Sequence, residues 1–149
     1  MPPRERPYGR GEVADAVAFL APAFEIIGCR FAGGLAGRGL LAIADAGANA
    51  AIVQGERVRD WRRFDLSRHA VRLSLNGGEA ASGSSSDLIF GDPIGAVAWF
   101  ASQPLLAGRG LKRGEIVMTG TCTGLTPIKA GDAAVADFGE FGEVRATFV

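Results

Sequence analysis

The sequence predicts an α+β domain in which strands predominate and a few helices are interspersed. The 149 residues include 22 glycines, which fall between short apolar runs, and this pattern is typical of strands joined by tight turns. Only one well-marked helix follows Asn49, so the regular strand–helix alternation of a parallel α/β fold is missing. The coarse pattern contains about seven or eight strands and two or three helices. It favours a β-rich α+β fold.

The first third of the chain is predicted to form a linker, a helix and two strands. Residues 1–10 carry prolines and arginines but no apolar run, and we expect an N-terminal linker followed by a single domain over 11–149. Apolar residues recur at helical spacing from Gly11 and predict a helix that ends near Pro22. Strands are predicted over residues 24–31 and 50–53.

A hairpin and a helix are marked by their turn and capping residues. The dipeptide Asn76-Gly77 follows an alternating apolar run, which indicates a hairpin between strands at 71–75 and 79–82. Asp92 and Pro93 suit the N-cap and first position of a helix. Because Pro104 cannot continue it, we expect that helix to bend or stop near Ser102. The apolar residues predicted to face the core are Ile94, Val97, Ala98, Ala101 and Leu105.

The segment 115–132 is the centre of the second half. It is predicted to contain a buried strand at 116–118, followed by a loop of threonines and glycines, and two further strands at 133–138 and 143–149. Hydroxyls and free N–H groups beside glycines can bind a carboxylate. The residues concerned are Thr119, Thr121 and Thr123. The alternative interpretation is an ordinary hydroxyl-rich turn.

Glu25 and Arg30 are the charged residues of the predicted first strand. A carboxylate among buried apolar neighbours has to be paired, protonated or bound to a metal, because an isolated buried charge is too costly. The alternative is that Glu25 faces solvent and Arg30 merely ends the strand. The residues alone leave both interpretations open.

Composition excludes several classes of function. Sixteen basic and sixteen acidic residues cancel, so no overall field favours nucleic acid or an anionic membrane, and we expect neither as a partner. No apolar run approaches membrane-spanning length. Two distant cysteines do not form a zinc pattern, and although one bridge is compatible with them, reduced thiols in a cytoplasmic protein are the expectation.

Several blocks of the sequence resemble the fumarylacetoacetate hydrolase superfamily, and most closely its 2-keto-4-pentenoate hydratase branch. The blocks are YGRGEVADAVAFLAPAFEIIGCR (8–30), ADAGAN (44–49), GDPIGAVAWF (91–100) and EIVMTGTCTGLTPIKAGD (115–132) with the strands that close the chain. They occur in the order of the family. The resemblance implies a mixed, rolled β-sheet around a helix.

The resemblance also implies a chemistry. Family enzymes bind Mg²⁺ or Mn²⁺ through three acidic side chains, and the metal chelates the 2-oxo acid end of a small substrate, which suits a hard cation with oxygen ligands. In the hydratases, a 2-hydroxy-dienoate of aromatic catabolism tautomerises, and water adds to the conjugated double bond. An acylpyruvate-type C–C hydrolase is the alternative reaction, because that branch shares the Thr119-Gly120-Thr121 triplet.

Individual residues take roles from the resemblance. Glu25 matches the third acidic metal ligand. The substrate-binding residues that it implies are Arg30, Asp45, Asn49, Thr119, Thr121 and Thr123. The single histidine, His69, matches no family role, and we expect it to be structural or exposed.

One departure from the family bears on activity. The other two metal ligands of the family form a Glu-x-Glu pair in an N-terminal part, and no Glu-x-Glu occurs in this sequence. One carboxylate does not make a tight Mg²⁺ site. We therefore expect a truncated domain that is completed by further residues or by another chain, or else a non-catalytic binding or assembly module. Apolar surface left uncovered would make the chain a homo-oligomer.

Overall fold

The structure is a computed structural model that describes residues 1–34, 37 and 39–149, without the side chains of Leu105 and Ala107. Its α-helices are α1 (Arg10–Ala16), α2 (Gly39–Ala44), α3 (Pro93–Ala101) and α4 (Pro104–Ala107). Its strands are β1 (Ala23–Ile27), β2 (Asn49–Gln54), β3 (Ala70–Leu75), β4 (Gly78–Ser84), β5 (Ala133–Asp137) and β6 (Glu143–Thr147). Short 3₁₀ turns lie at Ala46–Ala48, Trp61–Arg63, Ser85–Asp87 and Gly139–Phe141.

The strands form two sheets. One has four strands in the order β4-β3-β5-β6, and the other consists of β1 and β2. Within the described ranges every strand pair is antiparallel. The predicted α+β class is confirmed, with six strands among the described residues where the sequence suggested seven or eight.

The hairpin between β3 and β4 forms where its turn residues predict it. Asn76 and Gly77 both have positive φ, at 53° and 81°, as a two-residue hairpin turn of this type requires. The Asn76 side chain also joins the hairpin to β5. Its Nδ2 donates to Asp132 Oδ1 at 2.8 Å, and its Oδ1 accepts from the Ala133 N–H at 2.9 Å.

Helix α3 begins and ends as predicted. Asp92 Oδ1 accepts from the Gly95 N–H at 2.9 Å, and Ser102 is the C-cap. Pro104 does not bend α3, because it opens the separate helix α4 as its first residue. The predicted core-facing residues of α3 are buried at Ile94, Val97, Ala98 and Ala101, whereas the Leu105 side chain lies outside the described residues.

Two apolar clusters hold the elements together. The first packs α3 against Val13 of α1, Trp61 and Phe141. Trp61 is thus a core residue, although its loop is rich in arginine. The second cluster lies on the four-stranded sheet and also contacts Phe24 of β1 and Val53 of β2. This contact docks the two-stranded sheet on the larger one.

Three predicted elements are wrong in extent or existence. Helix α1 ends at Ala16 rather than near Pro22, because Leu20 instead pairs its backbone with Val58 in a β-bridge. Strand β1 ends at Ile27, where Gly28 bonds to the turn that precedes β2. Residues 116–118 form no strand, since their apolar character predicts burial but cannot supply a neighbouring strand to pair with.

The first nine residues have no regular structure, yet they contact the rest of the chain. The Met1 amino group donates to the Leu111 carbonyl at 3.0 Å, and the Tyr8 N–H donates to Ser102 Oγ at 2.9 Å. Arg4 pairs with Glu12 of α1 at 2.6 Å. The division of the chain at residue 10 stays a prediction.

Candidate functional site

Glu25 and Asn49 are brought together by the two-stranded sheet. Glu25 lies in the middle of β1, opposite Ile52, and Asn49 begins β2 opposite Ile27. Since Cβ atoms alternate along a strand, both side chains lie on one face of the sheet. Asn49 Nδ2 donates to Glu25 Oε1 at 2.8 Å. One carboxylate oxygen of Glu25 is thereby fixed in place.

Arg30 connects Asn49 to a buried carboxylate. Its guanidinium donates to Asp45 Oδ1 at 2.9 Å and to the Asn49 carbonyl at 2.9 Å. The Arg30 backbone N–H donates to the second Asp45 oxygen at 3.0 Å. Asp45 is only 4% exposed, and its hydrogen bonds to the Arg30 side chain and backbone lower the pKa of its carboxyl group. The pairing keeps this buried carboxylate ionised.

A tight turn sets the distance between Asp45 and Asn49. Ala46, Gly47 and Ala48 all have positive φ, at 54°, 71° and 63°. Two alanines in this region are strained, because their Cβ atoms crowd the backbone. Such strain persists only where surrounding contacts enforce it, and the Arg30 guanidinium binds the residues on both sides of the turn.

Four residues that the sequence proposed for the site therefore form one hydrogen-bonded network, defined here as the acidic network. It runs from Glu25 through Asn49 and Arg30 to Asp45. The network reaches the surface at Glu25, which is exposed. The sequence left open whether Glu25 is paired or faces solvent. The structure shows both, because Glu25 lies on the exposed face of β1 and accepts a hydrogen bond from Asn49.

The acidic network offers a metal ion only part of a coordination sphere. Among the residues that the structure describes, no three His, Cys, Asp or Glu side chains lie close enough together to hold a metal. Both oxygens of Asp45 are occupied by Arg30. A hard divalent cation takes six or more oxygen ligands, of which protein carboxylates are the strongest. The described residues do not by themselves form a metal centre.

The threonine loop, residues 119–124, is shaped by its own hydrogen bonds. The Thr121 hydroxyl donates to the Gly124 carbonyl at 3.0 Å and accepts from the Thr123 N–H at 3.2 Å. Gly120 and Gly124 both have positive φ, which a glycine adopts without strain. Thr121 thus serves as a turn residue, while Thr119 and Thr123 are half-buried. Across the described residues, no hydrogen bond joins this loop to the acidic network.

The threonine loop packs against strand β4 through a close backbone contact. A Cβ atom on Gly83 would lie 1.8 Å from the Cys122 carbonyl oxygen, so only glycine permits this approach. The Cys122 side chain is half-buried, and burial raises the pKa of its thiol. The loop is therefore held against the four-stranded sheet rather than against β1 and β2.

Beside the threonine loop lies a cleft of about 330 Å³, called here the aromatic cleft. It is lined by Phe90, Ala96, Trp99, Phe100, Ile116, Val117, Met118, Thr119 and Gly120. The rings of Phe90 and Trp99 stack with centroids 5.1 Å apart. Sequence reasoning did not single out Phe90 or Trp99, although Trp99 stands within the block 91–100 that carried the family resemblance.

His69 is part of the packing rather than of either site. Its Nε2 lies 2.5 Å from the Phe138 carbonyl oxygen, and its ring meets Phe64 and Phe141 edge-on. This position agrees with the expected structural role.

Comparison with known proteins places these observations in a family. Residues 39–149 match the model of the fumarylacetoacetate (FAA) hydrolase C-terminal family. A 2-keto-4-pentenoate hydratase of Paraburkholderia xenovorans is 30% identical over 137 residues, which are 92% of this chain and 50% of the relative. A 2-hydroxyhexa-2,4-dienoate hydratase of Comamonas testosteroni is 33% identical over 123 residues, or 83% and 46% of the two chains.

A solved structure supports the same fold. The 4-oxalocrotonate decarboxylase of Pseudomonas putida G7, complexed with magnesium and adipate, superposes with a TM-score of 0.84 at 23% identity, over 99% of this chain and 57% of the other. The same enzyme with calcium and acetate gives a TM-score of 0.83.

The fumarylacetoacetate hydrolase C-terminal-like fold is thus confirmed, although the strands of the described residues form two antiparallel sheets rather than one mixed sheet. No helix among the described residues is long and apolar enough to cross a membrane. The chain spans about half the length of the curated relatives that it matches. The matched region, residues 39–149, contains about three quarters of the 149 residues. The chain therefore belongs to the fumarylacetoacetate hydrolase C-terminal family.

Proposed function

We propose that this chain is part of a metal-dependent hydratase that acts on 2-hydroxy-dienoates or the related 2-oxo acids of aromatic catabolism. The observation that carries the proposal is the acidic network, in which the Asn49 side-chain amide donates to one exposed carboxylate, Glu25. Arg30, paired with Asp45, in turn binds the backbone carbonyl of Asn49. An ordinary surface glutamate needs no such support. The names of the hydratase relatives give the reaction class.

In this proposal Glu25 is one ligand of Mg²⁺ or Mn²⁺. Asn49 positions the Glu25 carboxylate through its side-chain amide, and Arg30 fixes Asn49 by binding its backbone carbonyl. Asp45 neutralises Arg30 and keeps its guanidinium in place. The bound metal would supply charge stabilisation for an enolate. Further acidic ligands come from residues that the matched half of the family fold does not include.

The substrate carboxylate is assigned to the threonine loop. Thr119 and Thr123 are half-buried beside glycines that leave the backbone accessible, and such loops suit anions through their N–H and hydroxyl groups. Thr121 contributes by closing the turn. In the isolated chain the loop and the acidic network are separate units, so the substrate would bridge them only in the completed site.

The open face of the smaller sheet supports a homo-oligomer. Large apolar side chains are exposed there and on α2, at Ile27, Leu40, Ile43 and Ile52. Exposed apolar patches of this kind mark association surfaces. We expect light scattering to show a mass above that of the monomer, and a monodisperse monomer would contradict this expectation. Both cysteines are free, which supports the cytoplasm as the compartment of the proposed enzyme.

The experiment that tests the function is calorimetric titration of Mg²⁺ or Mn²⁺ into the purified chain, with oxalate present as a mimic of a 2-oxo acid. If copies of the chain together supply the missing ligands, saturable binding is expected, and it should disappear in Glu25→Gln; no binding by the wild type would mean that the ligands lie outside this chain. The matched control is Glu79→Gln, which removes an exposed carboxylate from β4 and should bind as the wild type does. Equal binding by Glu25→Gln would overturn the assignment of the ligand.

A second candidate is a non-catalytic module of the same fold. The observation in its favour is that the described residues assemble no group of three metal ligands. A non-catalytic module predicts no metal-dependent binding of oxalate in the wild type or in either variant. If the wild-type chain does bind, analysis of products from a 2-hydroxy-dienoate separates hydration from C–C hydrolysis, since only hydrolysis shortens the carbon chain.

A further inference from the structure

We propose that the aromatic cleft is a subsite for the nonpolar end of the substrate, and that it selects acids whose tail is the size of a phenyl ring. The inference deepens the proposed function and rests on it for the identity of the acid group. It concerns a part of the chain that the acidic network does not use. Its main residues are Phe90, Trp99 and Ile116.

The size of the cleft fits an aromatic ring. Its volume is about 330 Å³, whereas an apolar cavity of about 150 Å³ already binds benzene. A methyl group would leave most of this space filled by water. A phenyl ring with one or two linking carbons would occupy it and remove apolar wall from water.

The surface of the cleft is chemically selective. None of the nine lining residues carries a charge, so the cleft offers no partner for a carboxylate. Phe90 and Trp99 stack on each other at an interplanar angle of 23°, and this pair, called here the aromatic wall, lines one part of the cleft. Trp99 is 51% exposed and Ile116 56% exposed, which leaves much of that wall open to a ligand. Flat apolar groups gain from contact with such aromatic surfaces.

One residue pair orients the ligand. Thr119 and Gly120 line the cleft and also begin the threonine loop, to which the substrate carboxylate is assigned. The polar end of the cleft is therefore continuous with the proposed anion site, and its apolar end is not. A substrate with its carboxylate at the loop places its tail between Ile116 and the aromatic wall.

The test compares two pairs of acids by calorimetry on the full chain. In the first pair, phenylpyruvate is compared with pyruvate in the presence of Mg²⁺, and in the second, 3-phenylpropionate is compared with propionate in the presence of EDTA. We expect the phenyl compound of each pair to bind about tenfold more tightly or better, which corresponds to partial burial of one ring. The second pair reports on the cleft without metal or 2-oxo group.

Two variants locate the preference. Phe90→Ala removes one of the two rings of the aromatic wall. Because less of the ligand ring is then buried, the affinity of each phenyl acid should exceed that of its small partner by no more than about threefold. Ile89→Ala is the matched control, because Ile89 is the neighbouring residue, is 92% exposed and does not line the cleft. It should keep the wild-type ratios. Circular dichroism spectra that match the wild type establish that both variants are folded.

The outcomes separate this inference from the proposed function. A phenyl preference in EDTA without metal-dependent binding of oxalate would support the cleft and reject a metal site built from this chain alone. Equal binding of the phenyl and small acids, or a preference that Phe90→Ala retains, would overturn the cleft as a subsite. A second copy of the chain as occupant would be revealed if Phe90→Ala dissociated an oligomer while the wild type showed no phenyl preference.

Discussion

The two sheets of the molecule differ in what covers their apolar side chains. Leu73 in the four-stranded sheet is 8% exposed, whereas Ile52 in the two-stranded sheet is 45% exposed. The smaller sheet buries only the face with Phe24 and Val53 against the larger one. Its other face is open and carries Glu25. The covered four-stranded sheet, called here the closed sheet, therefore maintains the fold, while the two-stranded sheet, called here the open sheet, presents the candidate site.

The largest expected effect follows from this difference in burial. Leu73→Ala should lower the free energy of unfolding by about 2–5 kcal/mol, because it removes buried methyl groups and leaves a cavity. In the monomer, Ile52→Ala deletes a side chain of similar size from the open face and should cost less than about 1 kcal/mol. Urea unfolding followed by circular dichroism, at protein concentrations where light scattering shows the monomer, measures both. Equal losses in the monomer would remove the distinction between the sheets.

Turn and capping residues predicted the β3–β4 hairpin and helix α3 well. The positive φ of Asn76 and the N-cap of Asp92 depend on residues within a few positions of each other, so the sequence contains the whole cause. Residues 116–118 failed as a strand because a strand requires a neighbour from elsewhere in the chain. In the described structure this apolar run lines a cleft instead.

Four residues of the acidic network were proposed from the sequence, but the bonds that join them were not. Glu25 stood out as a charge in a predicted strand, and the family resemblance gave roles to Glu25, Asp45 and Asn49 without any geometry. The bonds of Arg30 span 15 and 19 positions, and neither spacing has a periodicity that would predict them. Phe90 was missed because an apolar residue before a helix is equally typical of a core contact.

A second prediction concerns how the threonine loop is attached to the closed sheet. Gly83→Ala would place a Cβ atom 1.8 Å from the Cys122 carbonyl oxygen, and the loop would have to move away from β4. We expect a loss of about 1–3 kcal/mol in the free energy of unfolding, as for other overpacked positions.

The matched control for this loop contact is Gly78→Ala in the same strand. The nearest atom to its added Cβ is the Leu75 carbonyl oxygen at 3.7 Å, an ordinary contact, so its cost should stay within about 0.5–1 kcal/mol, set by β-strand preference. Urea midpoints compare the two variants. If both lose the same stability, the seating of the loop on Gly83 does not stabilise the fold.

The smallest effect is a pH dependence of the free energy of unfolding, which arises from the Arg30–Asp45 pair. Hydrogen bonds from Arg30 lower the pKa of Asp45 in the folded state, so the pair stabilises the fold above the ordinary carboxyl pKa of about 3.9. That contribution is lost as the pH falls through the lowered pKa. In Asp45→Asn and Arg30→Gln, urea midpoints should therefore decline less steeply on acidification below about pH 5 than in the wild type.

A double variant tests the coupling between Arg30 and Asp45. Because Arg30 and Asp45 act through one contact, Arg30→Gln combined with Asp45→Asn should lose little more stability at neutral pH than either change alone. Carboxyl titration by NMR should also show the Asp45 pKa rising towards its ordinary value in Arg30→Gln. Additive losses with an unchanged Asp45 pKa would mean that the acidic network is not coupled. Glu25 would then be held by Asn49 alone, without the support from Arg30 and Asp45 on which the proposed site on the two-stranded sheet rests.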